Sequence, residues 1–448
     1  MDRRQIWFGM THNLNRRTLL KGTGGIGPTL VFAGVASANG ETRYLARVEG
    51  SGATGRIERA GYDIETELAD GEVLVVVGPD GSLDKLEAVR GVQVVIPDFK
   101  IELEEPVETA TVESSSDKPA FWDRQWDKHV TGVEKAHQIA TGEGSTVAII
   151  DTGIDHTHPD LQNVNGEASA AIFGGEIRDH TGDWYGHGTH VAGIAAATGE
   201  IGVVGTAPDA ELVSLRVFTT EEEEQDNFWS DLLLAIEYAV AEVGADSANM
   251  SLGTIETLDG PFNAGGIRGV TEPIMQYATR QGTVVVGSAG NHGESLQEGG
   301  SWTLPNSLAG VISTSATGPN DELTFYSNWG TNEIDVGAPG GGYETLEKTL
   351  EMDSEEVEWP FPTNLVWSSM APDSMLGQEF GQYAYLAGTS MAAPQVSGAA
   401  ALLREEAPDA NVRQVENAIK QGADIVTGQN DSDLGAGRLN VRDALDAL

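Results

Sequence analysis

From residue 119 onward, short apolar runs alternate with helical stretches, and this pattern constrains the fold more than any other feature. Residues 146–151, 211–217, 247–252 and 283–287 read as buried strands, and 187–197, 228–243, 390–405 and 412–422 as helices. Apolar strands separated by helix-length segments predict a parallel sheet covered on both faces. A chain of 448 residues, 40% of them hydrophobic, has material for one large α/β domain plus small appendages. No run of 18 apolar residues follows the N-terminal segment, so no transmembrane helix is expected.

Three segments of this domain carry chemistry. Ala148-Ile-Ile-Asp151-Thr-Gly153 is an apolar strand that delivers a carboxylate at its C-terminal end. Gly186-His187-Gly-Thr-His190 sets an imidazole at the start of a small-residue helix, and Gly388-Thr389-Ser390-Met391 sets a hydroxyl at another. Sites in open parallel sheets gather at the carboxyl ends of the strands, so all three can meet in one crevice. A serine hydroxyl is a weak nucleophile until a base takes its proton, which neutral imidazole does near pH 7. A carboxylate accepting the ring N–H holds the imidazole in the required tautomer. A helix start at Ser390 aims a backbone N–H at a developing oxyanion, and Asn291, after the run 283–287, can donate a second hydrogen bond.

The order Asp151, His187, Asn291, Ser390 resembles that of subtilisin-like serine proteases (subtilases) over roughly residues 122–448. The resemblance implies a three-layer subtilisin-like fold with a mostly parallel central sheet, preceded by a small α+β propeptide domain. It implies a serine endopeptidase in which Asp151 orients the base, His187 is general base and then acid, Ser390 is the nucleophile and Asn291 an oxyanion donor. Ser251, Leu252 and Gly253 match the family's substrate-pairing strand. Ser288, Ala289 and Gly290 would form the other wall of the primary pocket, with Trp302 and Thr303 at its floor. Two departures stand out. Gln395 replaces a usual His, and segment 340–386 is longer than a minimal subtilase needs. Its acidity is concentrated in 344–358, so it is expected as a surface insertion at the rim of the site.

The first 38 residues read as a twin-arginine export signal: Asn15-Arg16-Arg17-Thr18-Leu19-Leu20-Lys21, a Gly-rich apolar stretch, then Ala36-Ser37-Ala38. Residues 39–118 read as a propeptide and acidic linker, with strands at 43–48, 72–78 and 92–97, a helix at 83–90, and an exposed linker over 102–118. Residues 119–448 are then the catalytic domain.

Composition narrows the function. With 26 basic against 69 acidic residues the net charge is −43, which repels phosphate backbones and anionic lipid and argues against nucleic-acid or membrane partners. Diffuse acidity with only 8 Lys suits a surface adapted to high salt. Together with the export signal, it makes the chain most like a halolysin-type secreted haloarchaeal protease. It is expected to work as a monomer on protein or peptide substrates, with its own propeptide as a partner. The absence of Cys removes disulfide and thiolate chemistry. The His187/His190 pair lacks the Glu and the spacing of a zinc-protease helix. No organic cofactor is required. Calcium stays open with no ligand assigned, because Thr198-Gly-Glu200-Ile-Gly202 is short for the family's calcium loop and lacks its Asn residues. Glu221 to Glu224 read either as a solvated loop or as a selector of basic residues upstream of the scissile bond. A silent subtilase-fold binding or maturation factor is the competing reading, and an exported ester hydrolase a weaker one.

Overall fold

The computed structural model describes residues 40–50, 52–101, 106–110, 121–179, 182–220, 223, 227–257, 264–297, 301–426 and 431–448. The expected export signal and most of the acidic linker lie outside the described residues. The first ordered unit is a four-stranded antiparallel sheet of β1 (Glu41–Val48), β2 (Asp63–Leu68), β3 (Val73–Pro79) and β4 (Val92–Pro97), in the order β2-β3-β1-β4. Helices α1 (Ala53–Arg59) and α2 (Leu83–Glu87) cover one face, where Tyr44, Ala46, Ile57, Leu74, Val76 and Leu86 make a separate small core. Three of these strands and α2 correspond to the expected elements; β2, with its polar alternation Asp-Ile-Glu-Thr-Glu-Leu, was not anticipated.

The next strand, β5 (Glu108–Ala110), precedes the large sheet. That sheet is built from β6 (Thr146–Asp151), β7 (Ala170–Phe173), β8 (Glu176–Asp179), β9 (Glu211–Arg216) and β10 (Ser247–Met250). After β11 (Thr254–Thr257) come β12 (Val284–Ser288), β13 (Ser301–Leu304), β14 (Val311–Thr317) and β15 (Val336–Pro339). Eight of them lie in the order β15-β14-β12-β10-β6-β9-β7-β8, all pairs parallel except the β7–β8 edge, while β11 and β13 form a separate antiparallel ribbon. Helix α3 (His187–Ala196) packs on β6. Two helices, α4 (Trp229–Tyr238) and α5 (Ala264–Gln281), pack together, and sheet strands β1 and β4 of the small unit lie against α5. The N-terminal sheet therefore has its second face covered by the large domain.

A hairpin, β16 (Val366–Ser369) and β17 (Tyr383–Ala387), leads into α6 (Thr389–Glu406), and α7 (Val412–Gly422) follows. Helix α6 is buried from Thr389 to Arg404 and packs against β10, β12, β14 and β15. A helix buried on every side lies between other elements: α6 packs between the sheet, α3 and α7, and the wholly buried α3 packs on both α6 and β6. The fold is thus the expected three-layer α/β arrangement. Among the described residues no helix is long and apolar enough to cross a membrane.

Two expectations need correction. The acidic part of 340–386 is at the surface, with Glu351, Asp353, Glu355 and Glu356 on its outer side. Yet Leu365, Val366, Trp367 and Met370 are core residues, because β16 must pair with β17. And the segment read as an exposed linker contains β5, which pairs antiparallel with β17.

Candidate active site

Strand β6 ends at Asp151, which is fully buried. Its Oδ1 accepts the Thr152 N–H at 2.7 Å and lies 2.8 Å from His187 Nδ1. A carboxylate so close holds the ring proton on Nδ1 and leaves the lone pair on Nε2. His187 opens α3, and the preceding Gly186 has φ 107°, where a Cβ would run into Met370 and Ser374. Only glycine fits that turn.

Asp183, which the motifs do not contain, fixes this turn. Its carboxylate accepts from Gly186 N at 2.8 Å, Tyr185 N at 3.1 Å, Thr189 N at 2.9 Å, Thr189 Oγ1 at 2.6 Å and Thr152 Oγ1 at 2.9 Å. Thr152 Oγ1 in turn accepts from Gly188 N at 2.9 Å, so one buried carboxylate joins the end of β6 to the start of α3. Burial pushes its pKa up, and the hydrogen bonds from Thr189, Gly186 and Thr152 oppose this. The signal that could find it in a sequence is an Asp a few residues ahead of a helix start.

His190 lies one turn on. Its Nε2 is 3.1 Å from the Ala384 carbonyl of β17, and burial drives its pKa to about 3. It is a neutral tie between α3 and β17. His158 bonds the Gln382 carbonyl at 2.9 Å and packs edge-on to Tyr383. No group of three or more His, Asp or Glu side chains among the described residues is arranged to hold a metal.

Ser390 is the second residue of α6. Its Oγ donates to the Ser251 carbonyl at 3.2 Å, and Ser251 Oγ donates to the Ser390 carbonyl at 2.7 Å. Since β10 pairs with β6, Ser251 just past β10 lies beside the Asp151 end of β6. Asn291 Oδ1 accepts from Thr389 N at 2.8 Å and Thr389 Oγ1 at 2.9 Å, while Thr389 Oγ1 accepts from Gly290 N at 3.1 Å. With its oxygen held by the helix start, the amide turns its N–H₂ the other way. Ser251, Leu252 and Gly253 continue into β11, while Ser288 ends β12 and Ala289 and Gly290 follow it. Between them, Thr303 of β13 donates from Oγ1 to the Ala289 carbonyl at 3.2 Å and sets its methyl 3.4 Å from where a Gly290 Cβ would be. Leu304 carbonyl lies 2.8 Å from the Cβ position of Gly253. The side chain of Trp302 lies outside the described ones.

Three further points of the sequence have a place in the structure. Gln395 donates from Nε2 to Asp127 Oδ2 at 2.7 Å and accepts on Oε1 from Lys128 Nζ at 2.6 Å, a buried network joining the helical turn Trp126–Val130 to α6. Glu223 is held by Arg216 at 2.5 Å and by Thr220 N at 2.7 Å, so it faces a cation of its own chain; Glu221, Glu222 and Glu224 lie outside the described residues. The loop at 198–204 does not fit calcium. Both Asp160 carboxylate oxygens are taken by N–H groups of Ile201, Gly202 and Val203 at 2.6–3.2 Å and by Tyr383 Oη at 2.7 Å. Gln125 bonds Val204 through both ends of its amide. Donor hydrogens converge where a cation would need oxygens.

The model of the Subtilase family matches residues 142–438. Thermitase from Thermoactinomyces vulgaris is 31% identical over 316 residues, 69% of this chain and 92% of thermitase. Subtilisin Savinase from Lederbergia lenta is 34% identical over 291 residues, 65% of this chain and 87% of that protein. Among solved structures, the epidermin leader peptide processing serine protease of Staphylococcus aureus superposes with a TM-score of 0.71 at 22% identity, covering 91% of this chain and 98% of its own, a likeness of fold.

Proposed function

The chain belongs to the subtilase family of serine endopeptidases, and on that premise we propose that Asp151, His187 and Ser390 are its catalytic triad and Asn291 its oxyanion donor. Ser390 Oγ attacks the peptide carbonyl while His187 Nε2 takes its proton. The charge on the former carbonyl oxygen is met by the Ser390 N–H and the Asn291 amide. His187 then protonates the leaving amine, the C–N bond breaks, and water repeats the sequence on the acyl-enzyme. The observation that carries this reading is the 2.8 Å contact between Asp151 at the end of β6 and His187 at the start of α3, both fully buried. An extended substrate pairs with Ser251, Leu252 and Gly253 through its backbone.

Residues 1–38 would export the precursor, 39–118 would act as propeptide and linker, and a monomeric catalytic domain of 119–448 would work outside the cell. The −43 charge with 8 Lys supports activity in strong salt. The test is to incubate the purified precursor and its Ser390→Ala variant at stepped salt, follow mass and digest casein. Shortening and internal casein cuts by wild type alone, rising with salt, are expected. Equal shortening of both proteins would assign maturation to an outside protease, and casein left intact by wild type would refute the endopeptidase reading.

Two variants refine the roles. Asn291→Leu removes a donor of near-equal volume, and kcat should fall about 10²–10³-fold with KM little changed, the loss known for this donor in subtilisin. A proportional rise in KM would instead make Asn291 a binding residue. Thr303 fills the end of the pocket between the two walls, so the enzyme should favour small residues at the acyl side of the cut. Thr303→Gly should raise kcat/KM for a Phe substrate over an Ala one by about 10-fold or more, the scale of a few methylenes of pocket volume. An unchanged Phe/Ala ratio in matched peptide anilides would place the floor elsewhere.

A further inference from the structure

Helices α3 and α6 carry His187 and Ser390, and they pack closely through small residues. An added Cβ at Gly398 of α6 would come 2.7 Å from the Ala195 carbonyl of α3. A contact made of glycine and alanine has low ridges, so packing alone does little to fix how far one helix slides along the other. One buried cation crosses this contact. Lys128 Nζ donates to the Ile194 carbonyl of α3 at 2.9 Å, to Gln395 Oε1 of α6 at 2.6 Å and to Thr206 Oγ1 at 3.2 Å, with Asp127 Oδ2 3.1 Å away. Gln395 Nε2 donates to the same Asp127 oxygen at 2.7 Å, and Asp127, Lys128 and Gln395 are all fully buried. An ammonium only donates and a carboxylate only accepts, so an amide facing both has one orientation. The Ile194 carbonyl belongs to the last turn of α3, where carbonyls lack partners within the helix and a cation is favoured. Burial pushes the Lys128 pKa down, and Asp127 opposes the fall. Such a pair is a poor source of stability, because apolar residues of similar volume often do as well. What it supplies is fixed geometry.

We infer that Lys128 is a positioning residue for catalysis: with Asp127 and Gln395 it pins α3 to α6 and so sets where His187 stands against Ser390. The inference rests on the acyl-transfer reading of Ser390. Ile194 is seven residues beyond His187 and Gln395 five beyond Ser390, about 10 Å and 8 Å along their helix axes. Over so short a length a helix moves as a rod, so a slip at the pin is carried to both reacting groups. The pin also gives the Gln395 departure a reason. Beside Lys128 and Asp127, position 395 needs an acceptor and a donor on neighbouring atoms, and a primary amide provides both.

Gln395→Met frees α6 from the pin and leaves Lys128 its contacts with Asp127, Ile194 and Thr206. In enzyme matured from the full chain, its kcat on a peptide anilide should fall at least about tenfold, toward the roughly 100-fold that an ångström of misplacement costs, with KM little changed. The rate at which a fluorophosphonate labels Ser390 should fall in parallel, since that reaction uses the same proton transfer to His187. The pH midpoint of kcat/KM should stay in place, because the charge on Lys128 is untouched. Ser397→Ala is the control: it deletes a buried hydrogen bond of α6 to Asn249 at 3.0 Å and should lose stability in urea with little loss of kcat. The variant Asp127→Leu/Lys128→Met/Gln395→Met removes the ion pair and its amide together, so it should regain the urea midpoint and keep the low kcat. Recovery of kcat along with stability in that variant would make the network merely structural and overturn the inference. So would a wild-type kcat in Gln395→Met, a rise in KM that accounts for its loss, or a shifted pH midpoint. Wild type inactive on the anilide would overturn the Ser390 reading and the pin's role with it.

Discussion

Replacing Ser390 by Ala is expected to lower kcat by about 10⁶-fold, the loss seen for the corresponding change in subtilisin, and adding Asp151→Asn to it should cost nothing further. In the proposed reaction Ser390 supplies the bond-forming oxygen, and without it the Asp151–His187 pair has no proton to accept. The single Asp151→Asn variant is the more informative. Where an Asn turns its N–H₂ toward the ring, the tautomer inverts and about 10⁴-fold is lost. Here Oδ1 accepts both Thr152 N and His187 Nδ1, while Oδ2 has no hydrogen-bond partner among the described residues. An Asn would keep its oxygen at the Oδ1 position, because the Thr152 N–H still needs an acceptor there. The tautomer should survive and only the charge be lost. Asp151→Asn should therefore retain more than 10⁻⁴ of wild-type kcat, and Asp151→Ala less than Asp151→Asn. Equal activities of the two variants would show that the oxygen does not hold the ring.

The proposed catalytic constellation is legible because strand ends, helix starts and the carboxyl edge of a parallel sheet each leave a local mark: apolar 146–151, then Gly-His at 186–187, then Gly-Thr-Ser at 388–390. Features decided by backbone pairing over long separations left none. Glu108–Ala110 has no strand pattern of its own and is a strand because β17 offers an edge. Helix α5 carries three Gly near its start and Pro273 inside, a poor helix by propensity. It is helical because Ile267, Val270, Ile274 and Met275 are buried between the large sheet and the N-terminal one. Asp160 and Asp183 belong to none of the motifs quoted above. Their importance lies in how many N–H groups the fold brings to a single carboxylate, and that number is a property of the folded chain.

Docking of the N-terminal unit onto the large domain should weaken by about 10³-fold between pH 4 and 7 through one side chain, Asp98. Asp98 follows β4 and is fully buried, with Oδ1 accepting from Ser230 N at 3.2 Å and Oδ2 from Ser230 Oγ at 2.5 Å. Burial raises its pKa from 3.8 to about 7; Ser230 and Arg43 oppose the rise, and Asp231 adds to it. Arg43 stands 4.0 Å from both Asp98 and Asp231 but 2.8 Å from Glu65, so its charge is shared three ways. Below pH 3.8 Asp98 is protonated whether docked or free, and docking carries no penalty. Above pH 7 it is ionised in both states and the penalty is complete. Between the two, docking takes up a proton, so each pH unit gained loses about tenfold, roughly 4 kcal/mol in all. Trp229, stacked on Phe99 across the same boundary, reports the separation by its fluorescence. In the uncut Ser390→Ala chain, urea curves from pH 4 to 8 should show Asp98 losing stability relative to Asp98→Asn as pH rises, with the gap constant above pH 7. Parallel curves across that range would mean that Asp98 stays ionised when docked and that the Ser230 hydrogen bonds outweigh its burial.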